Sequence, residues 1–388
     1  LSNLSDSRMR KAKSGAWWQE NQQRALSNNS VAYTDTIDTA SFMREWLSLY
    51  ESKSGERGMF NRQAAAKQAA KNGRREEYGD FGTNPCSEII LRNKQFCNLT
   101  EVVVRPYDTF DSLQIKVEAA TILGTMQATL TNFRYLTSKW KHNTQEESLL
   151  GVSLTGIMDN VDMINGKIDL EKLKDVAVSV NKVWAKKLGI PQSAAITCVK
   201  PSGTVSQLVD SASGIHTRHS PYYLRTIRSD KKDPLAKMMV DAGVYYEDDI
   251  TKPDHTYVFY FPMKSPKGAL TRKDFTAIEH LEIWKKYQDL WCEHKPSVTI
   301  SLKEDEWMEV GTWVKKNFAD ISGISFLPYS DHSYKQAPYQ EITYKEYREW
   351  LKVTTDDVDW SKITQYETED NTENTKELAC SAGTCEII

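Results

Sequence analysis

The segment Asn84-Pro85-Cys86-Ser87-Glu88-Ile89-Ile90 places an amide, a thiol and a carboxylate at alternate positions. Pro85 fixes its own φ and biases Asn84 away from helix, which predicts a rigid extended loop or turn around Cys86. Alternate side chains of an extended segment project to one side. Asn84, Cys86 and Glu88 would then gather a hydrogen-bonding group, a sulfur and a proton acceptor. Cys97-Asn98-Leu99-Thr100 follows after a short connection. Alone, the pattern equally describes a surface loop with an incidental cysteine.

A second pattern, Lys200-Pro201-Ser202-Gly203-Thr204-Val205-Ser206, lies between an apolar run and a helical stretch. Small residues there let backbone N–H groups approach an anion, and hydroxyls add donors. It lacks the two glycines and terminal Lys-Ser or Lys-Thr of a P-loop. An ordinary strand-to-helix turn with an N-cap serine is the other reading. A third is Cys380-Ser381-Ala382-Gly383-Thr384-Cys385, on a stretch rich in acidic residues and poor in aliphatic ones. Half a zinc site would need further His or Cys residues nearby, and none is present, so no metal site is assigned. A thiol pair that carries electrons between a disulfide and an external reductant suits such a tail better. Cys198, in an apolar run, and Cys292, after Trp291, read as inert core thiols.

These residues need a scaffold, and the hydrophobic spacing supplies its outline. Helices are predicted from Ala40 to Tyr50, from Asp111 to about Trp140, from Leu170 to Leu188 with Gly189 as C-cap, from Phe275 to Glu293 and from Glu304 to Phe318. Strands are predicted at Ala194–Val199, Tyr222–Arg228, Thr256–Phe261, Ser297–Leu302 and Ile324–Leu327. Gly55, Gly58 and Gly73 mark loops. Alternating strands and helices indicate an α/β architecture with a mainly parallel sheet. Residues 1–354 form the folded part, and 355–388 an acidic flexible tail.

With 388 residues, 39% apolar and 27% charged, the chain can bury a substantial core. A net charge of -3 gives no overall attraction to nucleic acid or anionic membrane. No apolar run is long enough for a transmembrane helix, and the first residues do not read as a secretory signal. Six sparse cysteines suit a reducing, cytoplasmic setting. The sequence opens at Leu1 without methionine, which suggests that further chain belongs beside its N-terminus.

Asn84 to Ile89 followed by Phe96-Cys97-Asn98-Leu99-Thr100-Glu101-Val102 resembles the finger-loop segment of the ribonucleotide reductases. The short interval from Cys86 to Cys97 is that of the class II, adenosylcobalamin-dependent enzymes. Pro201 to Ser206 resembles the family's substrate-phosphate loop. Arg24 to Ser30, Gly151 to Gly156, Phe326 to Tyr329 and the closing Cys-x4-Cys are also similar to class II sequences, in one collinear order.

The resemblance implies that Cys86 carries a thiyl radical, that Glu88 takes the ribose 3′-hydroxyl proton, and that Asn84 holds the ribose hydroxyls. It implies that Cys97 supplies one reducing equivalent, and that Ser202, Gly203, Thr204, Val205 and Ser206 hold the substrate phosphates. Cys380 and Cys385 would re-reduce the site and be reduced by a thioredoxin-like protein. The cofactor implied is adenosylcobalamin, and the substrate a ribonucleotide, with triphosphate favoured. The implied fold is part of a ten-strand α/β barrel threaded by the loop that bears Cys86. No cysteine precedes Cys86, whereas the family's partner thiol lies in the N-terminal half, so a complementary N-terminal reductase chain is expected. The competing readings are a class I catalytic-subunit fragment and a non-catalytic truncated regulator that binds nucleotide or reductase.

Overall fold

The computed structural model describes residues 1–15, 17–21, 23–24, 27–76, 78–329, 335–355 and 357–368. Its strands are β1 (Ser30–Tyr33), β2 (Gly58–Asn61), β3 (Gly82–Thr83), β4 (Ile90–Leu91), β5 (Asn98–Val103), β6 (Leu150–Thr155), β7 (Tyr222–Asp230), β8 (Tyr246–Asp248), β9 (Thr256–Lys264), β10 (Thr299–Leu302), β11 (Gly323–Pro328) and β12 (Tyr339–Glu341). They form two four-stranded sheets, β1-β2-β11-β10 and β12-β7-β9-β8, and two pairs, β3-β4 and β5-β6.

Single bridges link the first sheet to the β5-β6 pair. Val152 of β6 bridges to Thr197, and Val199 bridges to Pro296, three residues ahead of β10. At the far end Ser2 bridges to Val31 of β1. A line of neighbouring segments therefore runs Ser2, β1, β2, β11, β10, 194–199, β6, β5. Neighbours on it are parallel except β2 and β11. β6 is buried along its whole length, as expected of a strand covered on both faces. Helix Phe110–Gln127 packs beside it, and helix Leu170–Leu188 packs on that helix; the second is capped by Asp169 and closed by Gly189 at φ 70°, the C-cap the spacing predicted.

The described strands lie in small sheets, and their longest line stays open at β5, which leaves the expected share of a ten-strand barrel neither closed nor contradicted. Three expectations need correction. The sheet is not mainly parallel throughout, because β7, β8, β9 and β12 pair antiparallel. Strand periodicity records which face is buried, not the direction of the neighbour. The stretch from Asp111 to Trp140 is two helices, Phe110–Gln127 and Ser138–Glu147, separated by turns at 128–137. Gly58, read as a loop marker, opens β2 instead, where a Cβ would press on Ser30 and Ser325 of the flanking strands.

The C-terminal reading falls largely outside the described residues, and Cys380 and Cys385 lie entirely outside them. Residues 355 and 357–368 are described. Helix Ile363–Tyr366 contacts helix Pro234–Asp241, and the Tyr366 hydroxyl donates to Asp241 Oδ2 at 3.0 Å.

Two indoles tie the core to the segments that carry the site. Trp284 Nε1 donates to Pro296 O at 3.0 Å, and Trp291 Nε1 to Cys198 O at 2.8 Å. A third anchor is Arg218, which meets Asp159 through two parallel bonds, Nε to Oδ1 at 2.9 Å and Nη2 to Oδ2 at 2.8 Å, with both side chains buried. Burial opposes the Arg218 charge, but Asp159 outweighs it and holds the guanidinium pKa above its usual value. Arg218→Met leaves Asp159 as an uncompensated buried charge. It should cost about 3–5 kcal/mol of folding free energy in urea denaturation. A loss below about 1 kcal/mol would mean the pair is dispensable.

Candidate active site

Cys86 sits on a turn, not on an extended segment. Ser87 N–H donates to Asn84 O at 2.9 Å, and Ser87 adopts φ 67°, the left-handed region that a non-glycine residue enters at a cost. The Asn84 carboxamide oxygen accepts from Ile89 N–H at 3.0 Å, closing the turn from inside. The turn breaks the expected alternation: Cys86 is exposed while Glu88 is fully buried. Cys86 therefore opens onto a solvent-accessible space from which Glu88 is set back.

That space is a cleft with about 300 Å³ of free volume. Pro85, Cys86 and Ser87 line one wall, and Lys200, Pro201, Ser202, Gly203, Thr204 and Val205 another. Two patterns more than a hundred residues apart thus share one cavity. Ser206 does not line it; fully buried, its hydroxyl meets Ser213 Oγ at 2.6 Å and braces the loop from behind. Asn84, Glu88 and Cys97 also lie outside the lining. Ser202, at φ 50°, gives its hydroxyl to the Glu101 carboxylate, which also accepts from Ser153 Oγ at 3.2 Å. Burial pushes the Glu101 carboxyl pKa up; Ser202, Ser153 and Lys200 pull the other way.

Lys200 joins the two walls. Its Nζ lies 3.3 Å from Glu88 Oε1. Burial works against the Lys200 ammonium, but Glu88 and then Cys86 outweigh it, so its pKa ends above the ordinary lysine value. Glu88 Oε2 is buried with no hydrogen-bond partner among the described residues. Cys97 packs against the cluster of Leu149, Ala194 and Ala195. Burial, reinforced by the Glu88 carboxylate, raises its thiol pKa, with Arg75 and Lys200 opposing. In this surrounding Cys97 is a protonated thiol at neutral pH. Cys198 and Cys292 are buried, as expected of core thiols.

The segment 294–297 was not recognised from sequence, yet it carries the Cys86 loop from below. His294 Nδ1 accepts from Ile90 N–H at 3.3 Å, and its Nε2 lies 2.9 Å from Leu150 O. Burial, then Arg75, lowers the His294 pKa to about 3, so the ring is neutral and its single proton sits on Nε2, facing Leu150. Lys295 N–H donates to Glu88 O at 3.3 Å, Lys295 Nζ to Ser87 Oγ at 2.7 Å, and Ser297 Oγ to Cys86 O at 2.5 Å. No sequence signal marks them: Lys285, Lys286, Asp289 and Glu293 share the stretch from Trp284 to Val298, so His294 and Lys295 do not stand out by residue type. Lys13 and Glu56, paired at 2.8 Å on the cleft wall, were also missed, since they are far apart in sequence.

Comparison with known proteins shows what the chain is similar to. No protein-family profile matches the chain. An adenosylcobalamin-dependent ribonucleoside-triphosphate reductase of Lactobacillus acidophilus is 29% identical over 341 residues, covering 79% of this chain and 45% of that protein. One from Euglena gracilis is 29% identical over 72% of this chain and 39% of the relative. A probable one from Dictyostelium discoideum is 27% identical over 96% and 49%. Among solved structures, a B12-dependent, class II ribonucleotide reductase superposes with a TM-score of 0.73 at 24% identity, covering 94% of this chain and 55% of that one. The alpha subunit of the Actinobacillus ureae class Id enzyme gives 0.52 at 12% identity. The chain is thus similar to adenosylcobalamin-dependent ribonucleotide reductases over most of its length and shares the fold of a class II structure, and it spans about half the length of the relatives it matches.

Proposed function

We propose that this chain is the C-terminal catalytic half of an adenosylcobalamin-dependent ribonucleoside-triphosphate reductase. The observation that carries the reading is the single cleft bounded by the Cys86 turn and the 201–205 loop, with Glu88 and Lys200 joined beneath it. The net reaction exchanges the ribose 2′-hydroxyl for hydrogen. Two thiols become a disulfide, and the hydroxyl leaves as water.

In this reading Cys86, at the cleft surface, removes and returns the ribose 3′-hydrogen. Glu88 accepts the 3′-hydroxyl proton through its unpartnered oxygen. Asn84 serves the ribose hydroxyls, its carboxamide oriented by Ile89 N–H. The 202–205 backbone and hydroxyls hold the phosphates, with Ser206 as the brace. Cys97, kept protonated by burial, delivers a hydrogen and one reducing equivalent. Cys380 and Cys385 renew the dithiol from a thioredoxin-like reductant.

Adenosylcobalamin would have to act where Cys86 is exposed at the cleft surface. When bound, it supplies the first radical by homolysis of its cobalt–carbon bond.

Completion by an N-terminal half, on the same or a second polypeptide, has physical support. β5 ends its sheet among the described residues, and Ile115, Leu123, Met126, Leu130 and Tyr135 expose apolar surface on and just after helix Phe110–Gln127. Open edges and apolar patches of this kind are normally covered. The half-barrel reading rests on the same line of strands. The class I reading has weaker support, since the sequence relatives are cobalamin enzymes and the class Id likeness is lower. The test is complementation. With the N-terminal half, adenosylcobalamin, a ribonucleoside triphosphate and a dithiol, deoxynucleotide should form. Omitting the cobalamin or the N-terminal half should abolish it. Product formed without cobalamin would overturn the class II assignment.

A further inference from the structure

Lys295 is fully buried, and burial lowers its pKa to about 7 against the opposing pull of Glu88 and Cys292. Interior lysines are costly and persist where their charge or donors are used. Its ammonium occupies the space a side chain would take at Gly323: a Cβ there would overlap Nζ and press on Cε. The φ of Gly323 is not in the left-handed region, so the lysine, not the backbone, excludes a Cβ at this β11 position. From that slot Nζ reaches the hydroxyl of Ser87, the one residue of the Cys86 turn held at positive φ. The neighbouring Lys295 N–H and Ser297 hydroxyl hold the carbonyls of Glu88 and Cys86, on either side of Ser87.

From this geometry we propose that Lys295, housed by Gly323, is the positioning residue that locks the Cys86 turn at its working height. Three contacts from one short segment fix three consecutive residues, and the Lys295–Ser87 bond secures the residue whose backbone is least stable alone. Lys295 acts through Ser87 and need not touch substrate. That the turn carries the radical thiol rests on the function proposed above; that Lys295 holds the turn does not.

Hydrogen exchange on the 388-residue chain separates the two claims. In Lys295→Met, amides in 84–90 should exchange faster by roughly tenfold or more, while those in β5 and β6 stay within about twofold. Ser87→Ala, which removes only the acceptor, should loosen the same peptide, and this covers the case in which Lys295→Met fails to fold. Gly323→Ala should do the same by displacing the ammonium, yet add much less in the Lys295→Met background, where the overlapping Nζ is gone. In the complemented enzyme Ser87→Ala should lower kcat by roughly ten- to a hundredfold with KM near wild type, the signature of a misplaced reacting group. Unchanged exchange in 84–90, uniform acceleration across the chain, or equal Gly323→Ala effects in both backgrounds would each overturn the proposal. An inactive wild-type complex would count against the reductase reading alone.

Discussion

Cys86→Ser is expected to abolish deoxynucleotide formation, with any reductant, while leaving the fold intact. The turn is built from backbone groups and from side chains other than the thiol: Ser87 N–H to Asn84 O, Ile89 N–H to the Asn84 side chain, and Ser297 Oγ to Cys86 O. Exchanging sulfur for oxygen at the exposed Cys86 disturbs none of them and should move stability by no more than about 0.5 kcal/mol. The chemistry does not tolerate the exchange. A sulfur–hydrogen bond is comparable in strength to the ribose carbon–hydrogen bond, so hydrogen passes either way at small cost. An alcohol oxygen–hydrogen bond is much stronger, and a serine hydroxyl cannot be turned into the radical carrier by the same donor. Product analysis of the complemented enzyme, alongside a thermal melt, checks both halves. Appreciable turnover by the serine variant would remove Cys86 from the mechanism.

The sequence patterns singled out segments that the fold brings to one cleft, and said less about how those segments are arranged. Cys86, Glu88 and the 201–205 loop were legible because proline, glycine and small hydroxyl residues punctuate the chain where the backbone must bend. The helix Leu170–Leu188 was legible because its apolar stripe and Gly189 closure agree. The turn at Ser87 was not, since a left-handed serine has no signature of its own and is imposed by Lys295 more than two hundred residues away. Gly58 illustrates the same limit. Its meaning, space for Ser30 and Ser325, exists only once three strands are side by side. The antiparallel sheet and the line of strands joined by single bridges are likewise properties of pairing, which periodicity within one segment does not encode.

Glu88→Gln should lower kcat by roughly 10²- to 10⁴-fold, the range lost when a positioned general base is removed. The carboxylate is fully buried, with Oε1 held 3.3 Å from Lys200 Nζ. Oε2 is without a hydrogen-bond partner among the described residues. Leaving a buried polar atom unsatisfied costs about 1–3 kcal/mol, which is hard to reconcile with a purely structural acid. It suits an oxygen kept open for a substrate hydroxyl. Glutamine has the same shape and can still accept from Lys200, but it cannot take up a proton. It also takes the counter-charge from Lys200, whose side chain is partly exposed, so a thermal melt should show only a modest loss of stability. Nucleotide affinity, carried by the 202–205 loop, should stay near wild type and so separate a lost base from a disturbed cleft. Lys200→Met should behave differently, because it strips the buried carboxylate of its counter-charge and alters the cleft wall together. Stability and nucleotide affinity should then fall along with kcat. Should Glu88→Gln retain turnover within about tenfold of wild type, Glu88 would not be the base, and the role would pass to a group supplied by the N-terminal half.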